Sequence, residues 1–382
     1  MNILIITPGV LPVPAVSGGA VENLIEMLIE FNELNGNDNI TITSIENLKA
    51  IEKSKKYYKT NFIFFKTKNV IKKIRNKINK IVNNNIGNYY IYQICRKINL
   101  NEYDCIVVEN VPEYGIVLRK KYKGKLILHL HNDRLNSESK NAIKLLNLYD
   151  SILCLSDFVK QKVESISNEK TNKVYTVHNG IDIDKFKNVE INEEWRKKFD
   201  IKDEKVILYT GRLVEEKGVR ELIKAFIEIE KKYKAKLIIA GSVNYNSNLE
   251  SNYVKELKKI AQNNKNIIFT GYINYNELPQ IYKISDLGII PSIWDEPFAL
   301  TVVEHLASGN PVIVTNSGGM PELINEKCSI IVEKNNIIEL QNAIESFLKL
   351  DATQLNKMKN EALKQSEYFS KNKYTKEFFE RI

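Results

Sequence analysis

Four cysteines in 382 residues, none of them in a CxxC pair, exclude a disulfide framework and a zinc ribbon. Cys95, Cys105, Cys154 and Cys328 read instead as free thiols, mostly in or beside apolar segments. That usage belongs to a reducing compartment and predicts a cytoplasmic protein. No run approaches the ~20 apolar residues that span a bilayer. The opening run, residues 1–7, is short and has no positive charge before it. It reads as a buried strand and not as a signal peptide. Acid is missing from one stretch: residues 53–101 hold no Asp or Glu against thirteen Lys or Arg. The whole chain carries only +9, so the remainder is slightly acidic. No nucleic-acid motif accompanies this charge, and nucleic acid is not an expected partner.

Within the acid-free stretch, Val70, Ile71, Ile74, Ile78, Ile81 and Val82 recur at three- and four-residue steps. Lys72, Lys73, Arg75, Lys77 and Lys80 fall between them, so the spacing predicts a basic amphipathic helix over residues 66–82. Such a helix suits peripheral contact with an anionic membrane. It equally suits a solvated face that packs its isoleucines on its own domain.

Elsewhere, short apolar runs alternate with helical patterns. Strands are expected at residues 3–7, 40–45, 61–65, 105–109, 125–131, 151–155 and 174–178. After a charged stretch the pattern restarts at 206–210, 236–240, 267–270, 287–290 and 311–315. Alternation of this kind builds parallel sheets from βαβ units, and the restart predicts two of them, within the size expected of two domains.

Parallel sheets bind ligands beyond the carboxyl ends of their strands. The turns there carry the unusual residues. Gly18 and Gly19 open a helix after the first strand, where backbone N–H groups and the helix dipole favour an anion, although two glycines alone are more often a plain turn. Arg212 and Lys217 follow the strand ending at Thr210 and bring two cations to the sheet edge, which suits a diphosphate. Either residue alone would read as surface charge. Pro297 fits the first position of a helix, which leaves the amides of Phe298, Ala299 and Leu300 as donors. Glu304, about two turns further on, suits the vicinal hydroxyls of a ribose. Gly318 and Gly319 make a further turn before Met320-Pro321-Glu322.

Taken together, Gly18-Gly19 with Glu22, Asn179-Gly180-Ile181-Asp182, Thr210-Gly211-Arg212 with Lys217-Gly218, Pro291-Ser292, the pair Glu296 and Glu304, and Gly318 to Glu322 resemble the retaining GT-B glycosyltransferases of family 4 (glycosyl transferases group 1). The resemblance runs through nearly the whole chain in the family's order. It implies an α/β GT-B fold: two facing Rossmann-like domains with parallel sheets and an interdomain cleft. Residues 1–183 would form the acceptor-side domain and 184–368 the nucleotide-sugar domain, with a terminal helix at about 369–382 packing back on the first.

The resemblance also implies roles. Arg212 and Lys217 would neutralise the leaving phosphate. Gly18, Gly19, Phe298, Ala299 and Leu300 would hold phosphate or sugar through their backbones. Glu304 would take the ribose and Glu296 the hydroxyls of the transferred sugar. His131 matches the family's active-site histidine, and strand alternation puts His129 on the same face. His178 reads as a packed or hinge residue. No metal or other cofactor is required. The expected partners are a nucleotide-sugar donor, with UDP foremost, and a glycan, lipid-linked or cell-surface polysaccharide acceptor. Ala299 and His305 stand where the family usually has glycine and alanine. Two other functions share the architecture, a non-catalytic binding or coat-assembly protein and a sugar-nucleotide epimerase. The charged residues at the strand ends speak against the first.

Overall fold

The structure is a computed structural model that describes residues 1–66, 87–168, 171–243, 251–262 and 264–382. The expected basic helix at 66–82 falls, from residue 67 on, outside the described residues. The chain divides into two compact units: residues 1–180 with 372–382, and residues 181–371.

The first unit is built on seven strands: β1 (Asn2–Ile6), β2 (Asn39–Ile45), β3 (Thr60–Phe65), β4 (Cys105–Glu109), β5 (Lys125–Leu130), β6 (Ser151–Cys154) and β7 (Val174–Thr176). They pair in the order β3-β2-β1-β4-β5-β6-β7, and every pairing is parallel. A parallel sheet is covered on both faces, so its strands read as unbroken apolar runs. Ile3 to Ile6, Ile106 to Val108 and Leu126 to Leu128 are fully buried. The helix Lys371–Arg381, last in the chain, adds Tyr374 and Phe378 to this core.

The second unit repeats the plan with β8 (Lys205–Thr210), β9 (Ala235–Ala240), β10 (Ile267–Gly271), β11 (Leu287–Ile290), β12 (Val312–Thr315) and β13 (Ser329–Val332), in the order β10-β9-β8-β11-β12-β13. Its pairings are parallel too. Both sheets therefore reverse direction of growth beside their first strand, between β1 and β4 and between β8 and β11. At such a switch point the connecting helices leave to opposite faces and open a crevice at the strand ends.

Several expectations shift here. The strand Ser329–Val332 is not among the expected ones, because its apolar run, Ile330 to Val332, is only three residues long and follows a charged turn. Thr7 and His131 lie one residue beyond their strands, and β7 stops at Thr176. All four cysteines are buried free thiols. Part of the excess basic charge is explained locally. Lys53 Nζ lies 2.6 Å from Glu26 Oε1, and Lys56 lies near Glu26 and Glu30, all on or against the helix Ala20–Asn35.

Candidate active site

At the second switch point, β8 ends in Thr210 and the chain passes through Arg212 into a short 3₁₀ turn, Glu215–Lys217. Gly218 follows with φ +67° and caps the helix Val219–Ile229. A Cβ at Gly218 would stand 1.9 Å from the Pro291 carbonyl oxygen, so only glycine lets this turn press against the segment after β11. That contact brings Lys217 to Glu296. Lys217 Nζ donates to Glu296 Oε1, which also accepts from Ser292 Oγ at 2.7 Å. Glu296 is buried and Lys217 largely so. Arg212 pairs with Glu216 at 3.1 Å in a half-exposed position.

The next turn locks the same segment from the other side. Gly318 has φ +56°, and a Cβ there would lie 2.2 Å from the Glu296 carbonyl oxygen. The Gly319 N–H donates to that carbonyl at 2.7 Å, and Thr315 Oγ1 donates to the Ser292 carbonyl at 2.6 Å. Glu296 is thus fixed through its backbone as well as its carboxylate.

The helix here begins later than Pro297. It runs Leu300–Ala307, with Ala299 as its N-cap in left-handed geometry (φ 60°, ψ 75°). Pro297 sits in the preceding loop, two residues before the left-handed Ala299. An alanine in that geometry carries strain of ~1–2 kcal/mol. Among the described residues, no backbone acceptor takes the amides of Ala299, Leu300 or Thr301, so the first turn presents donors. Glu304 lies one turn in, not two, and is buried. Its Oε2 accepts from Tyr282 Oη at 2.6 Å, and that hydroxyl also meets Thr210 Oγ1 at 2.8 Å. Burial pushes the Glu304 carboxyl up to about 7, against the Tyr282 hydrogen bond and the charge of Lys185.

His305 touches this group through a ring contact alone. Its ring packs edge-on to Tyr282 at 4.6 Å, in space left by Gly288 on β11, where a Cβ would come within 2.4 Å of the imidazole. Among the described residues neither ring nitrogen has a hydrogen-bond partner, and burial holds the ring neutral by pushing it down to about 3.

At the first switch point, Gly18 and Gly19 precede the helix Ala20–Asn35, as expected, and Glu22 folds back against Gly19. The side chains that gather opposite come from β4 and from the end of β5. Glu109 is fully buried, with Oε2 2.7 Å from His131 Nε2 and 3.1 Å from His129 Nδ1. The two imidazole rings lie 4.2 Å apart. Burial would raise the Glu109 carboxyl, but His129 and His131 outweigh it and hold it at about 2. Burial and the neighbouring His129 push His131 down. The ligand atoms of these three side chains lie within 4.8 Å of one another, a donor set of the kind divalent metals use, although the same atoms already bond to each other. His129 is sealed by Tyr374 and Phe378 of the terminal helix, so of the two histidines His131 is the one nearer the surface. Glu109 was not singled out from the sequence. The available signal was an acid closing an otherwise apolar strand.

Comparison with known proteins adds a family and a fold. Residues 191–365 match the family described as glycosyl transferases, group 1. A putative glycosyltransferase of Bacillus subtilis, YtcC, is 28% identical over 96% of this chain and 88% of its own length. Among solved structures, a glycosyltransferase from Rickettsia africae superposes with a TM-score of 0.78 at 22% identity, over 99% of this chain and 97% of that one. Anabaena HepE in complex with UDP-glucose superposes at 0.75 and 18% identity, over 100% and 98%. At these identities the structural matches speak for the fold, which is GT-B.

Proposed function

We propose, from the premise that this chain is a glycosyltransferase of the glycosyl transferases group 1 family, that it moves a hexose-type sugar from UDP to a glycan, lipid-linked or cell-surface polysaccharide acceptor, with retention at the anomeric carbon. One observation carries the donor half: Lys217, Glu296 and Ser292 are tied together beside the open amides of the helix Leu300–Ala307. Cation, acceptor and helix N-terminus together suit the two ends of a sugar diphosphate. On binding, Lys217 and Arg212 turn to the β-phosphate and stabilise charge as the diphosphate leaves. Glu296 is then released to the sugar hydroxyls, and Glu304 takes the ribose. The phosphate cations do the work that a divalent ion does elsewhere. Departure of the diphosphate leaves an oxocarbenium-like centre. No further carboxylate is assigned as nucleophile, so attack comes from the face the diphosphate leaves. His131 approaches the transferred sugar. The UDP-glucose complex of Anabaena HepE supports uridine as the base.

A thermal-shift screen against UDP-, GDP- and ADP-sugars, followed by radiolabel transfer, tests this reading. A ligand that binds only the native state raises the Tm. A UDP-sugar should do so and should be turned over by transfer or slow hydrolysis. Isomerisation without transfer, or no shift with any donor, would overturn it. The membrane side of the acceptor rests on the acid-free residues 53–101. Each basic group near an anionic leaflet is worth ~1 kcal/mol. The protein should therefore sediment with anionic but not neutral vesicles at low salt. Changing Lys72, Lys73, Arg75, Lys77 and Lys80 to glutamine should abolish this, and failure of the wild type to sediment points to a soluble acceptor.

A further inference from the structure

Tyr282, in the helix Leu278–Lys283, has no part in the donor chemistry above, yet it is fully buried against Glu304. A buried phenol needs partners for its hydroxyl, and a phenylalanine would fill the same space without that need. The hydroxyl joins two other elements. It lies 2.6 Å from Glu304 Oε2 in the helix Leu300–Ala307 and 2.8 Å from Thr210 Oγ1 at the end of β8. An ionised carboxylate only accepts hydrogen bonds, and a phenol has one proton to give. That proton therefore goes to Glu304, and the Thr210 hydroxyl donates to the phenol oxygen. The chain of donors runs one way, from the strand end to the carboxylate.

The rest of Tyr282 is held as well. Phe186, in the helix Asp184–Lys187, meets its ring edge-on at 5.6 Å, and His305 meets it at 4.6 Å. The Tyr282 carbonyl accepts from Asn310 Nδ2 at 2.6 Å, and the same amide donates to Ser285 Oγ at 2.9 Å. The phenol is thus a fixed post, and a carboxylate bonded to it has little freedom left to lose when a ligand arrives. The chain engages Oε2, which leaves Oε1 for an incoming donor. A pair of neighbouring hydroxyls, as on a ribose, supplies such donors.

We propose that Tyr282 is a positioning residue for nucleotide recognition: Thr210 sets its hydroxyl, Phe186 and His305 set its ring, and it holds the Glu304 carboxylate ready for the vicinal hydroxyls of a ribose. The proposal rests on the reading that Glu304 takes the ribose. His305, whose imidazole lies over Gly288, braces the phenol and serves recognition through Tyr282.

Calorimetric titration of the full-length protein with UDP and with 2′,3′-dideoxy-UDP tests this. The wild type should prefer UDP by about ten- to a hundred-fold, the order of charge-assisted hydrogen bonds. In Tyr282→Phe that preference should fall to about threefold or less, while affinity for dideoxy-UDP stays within about twofold. Damage to packing alone would weaken both nucleotides equally, and that result overturns the proposal. The variant should also move the pH at which UDP affinity rises. Glu304 faces Lys185, Tyr275 and Tyr282, and the Tyr282 hydrogen bond favours its ionised form. Without that bond the carboxyl keeps its proton to higher pH, so the rise should move up, and an unmoved midpoint overturns the role. If Tyr282→Phe does not fold, Thr210→Val removes only the far hydroxyl and should cut the preference by about threefold. A preference that survives intact in these variants overturns the positioning role alone. A wild type that binds neither nucleotide, or both equally, overturns the ribose reading and the proposal together.

Discussion

The two switch points solve one problem with different materials. In the second unit the crevice is shaped by backbone: Gly218 and Gly318 press against carbonyls, and a helix N-terminus aims its amides outward. In the first unit it is shaped by side chains: one buried carboxylate carries two imidazoles. Backbone donors suit phosphate, which makes the same demand in every nucleotide. A side-chain network suits a ligand whose hydroxyl pattern varies. Under the proposed function, phosphate would sit on the less variable framework and sugar recognition on the more adjustable one.

That contrast can be broken most decisively at Lys217. Lys217→Met should lower kcat by a factor of ~10²–10³, the usual cost of losing one electrostatic contact to a leaving group. Steady-state kinetics with the preferred donor checks this, and a change below fivefold would move the phosphate site elsewhere. Glu304 should show a smaller effect, on affinity. Glu304→Ala removes charge-assisted hydrogen bonds worth ~1.5–3 kcal/mol, about ten- to a hundred-fold in Kd for UDP. Glu296→Ala should act mainly on turnover.

Glu304 also predicts a pH dependence. Its carboxyl is raised from 4.5 to about 7, so the folded protein binds the proton more tightly than the unfolded chain. Folding stability from this group is therefore greatest at low pH and declines as pH rises from about 4.5 towards 7. Affinity for UDP moves the other way, strengthening as Glu304 ionises near pH 7 and becomes a pure acceptor. Calorimetric titration from pH 6 to 8 should show that rise in the wild type and a flat profile in Glu304→Gln. Ala299→Gly should give a gain of ~1 kcal/mol, read as a higher urea midpoint at unchanged m, because glycine tolerates φ 60°. A lower midpoint would mean that the turn is not strained. The smallest expected effect is none: excess EDTA should leave turnover unchanged, and rescue by magnesium after loss would place a metal where Arg212 and Lys217 are assigned.

The parallel sheets were legible because buried parallel strands are continuous apolar runs, as in Leu126-Ile127-Leu128. The second unit's turns were legible because glycine and proline mark backbone geometry directly. Three things were not. Ser329–Val332 is too short to stand out from its flanks. The delayed start of the helix Leu300–Ala307 depends on a left-handed alanine that no local pattern announces. Glu109 and His129 acquire their meaning only when β4 and β5 pair, since Glu109 lies opposite His129 in the register. Nothing along the chain connects an acid and a histidine twenty residues apart.

The helix Lys371–Arg381 belongs to a unit whose other residues end at Gly180. During synthesis the first unit must therefore wait for the whole second unit to be translated before Tyr374 and Phe378 arrive. At ~5–20 residues per second that interval is about ten to forty seconds. Until then the apolar side of His129 has no cover from the terminal helix. A nascent chain lacks this cover on His129 until the second unit has been made, and a chain cut a few residues before Tyr374 never acquires it. Synthesis of the whole second unit thus stands between the first unit and its last covering helix.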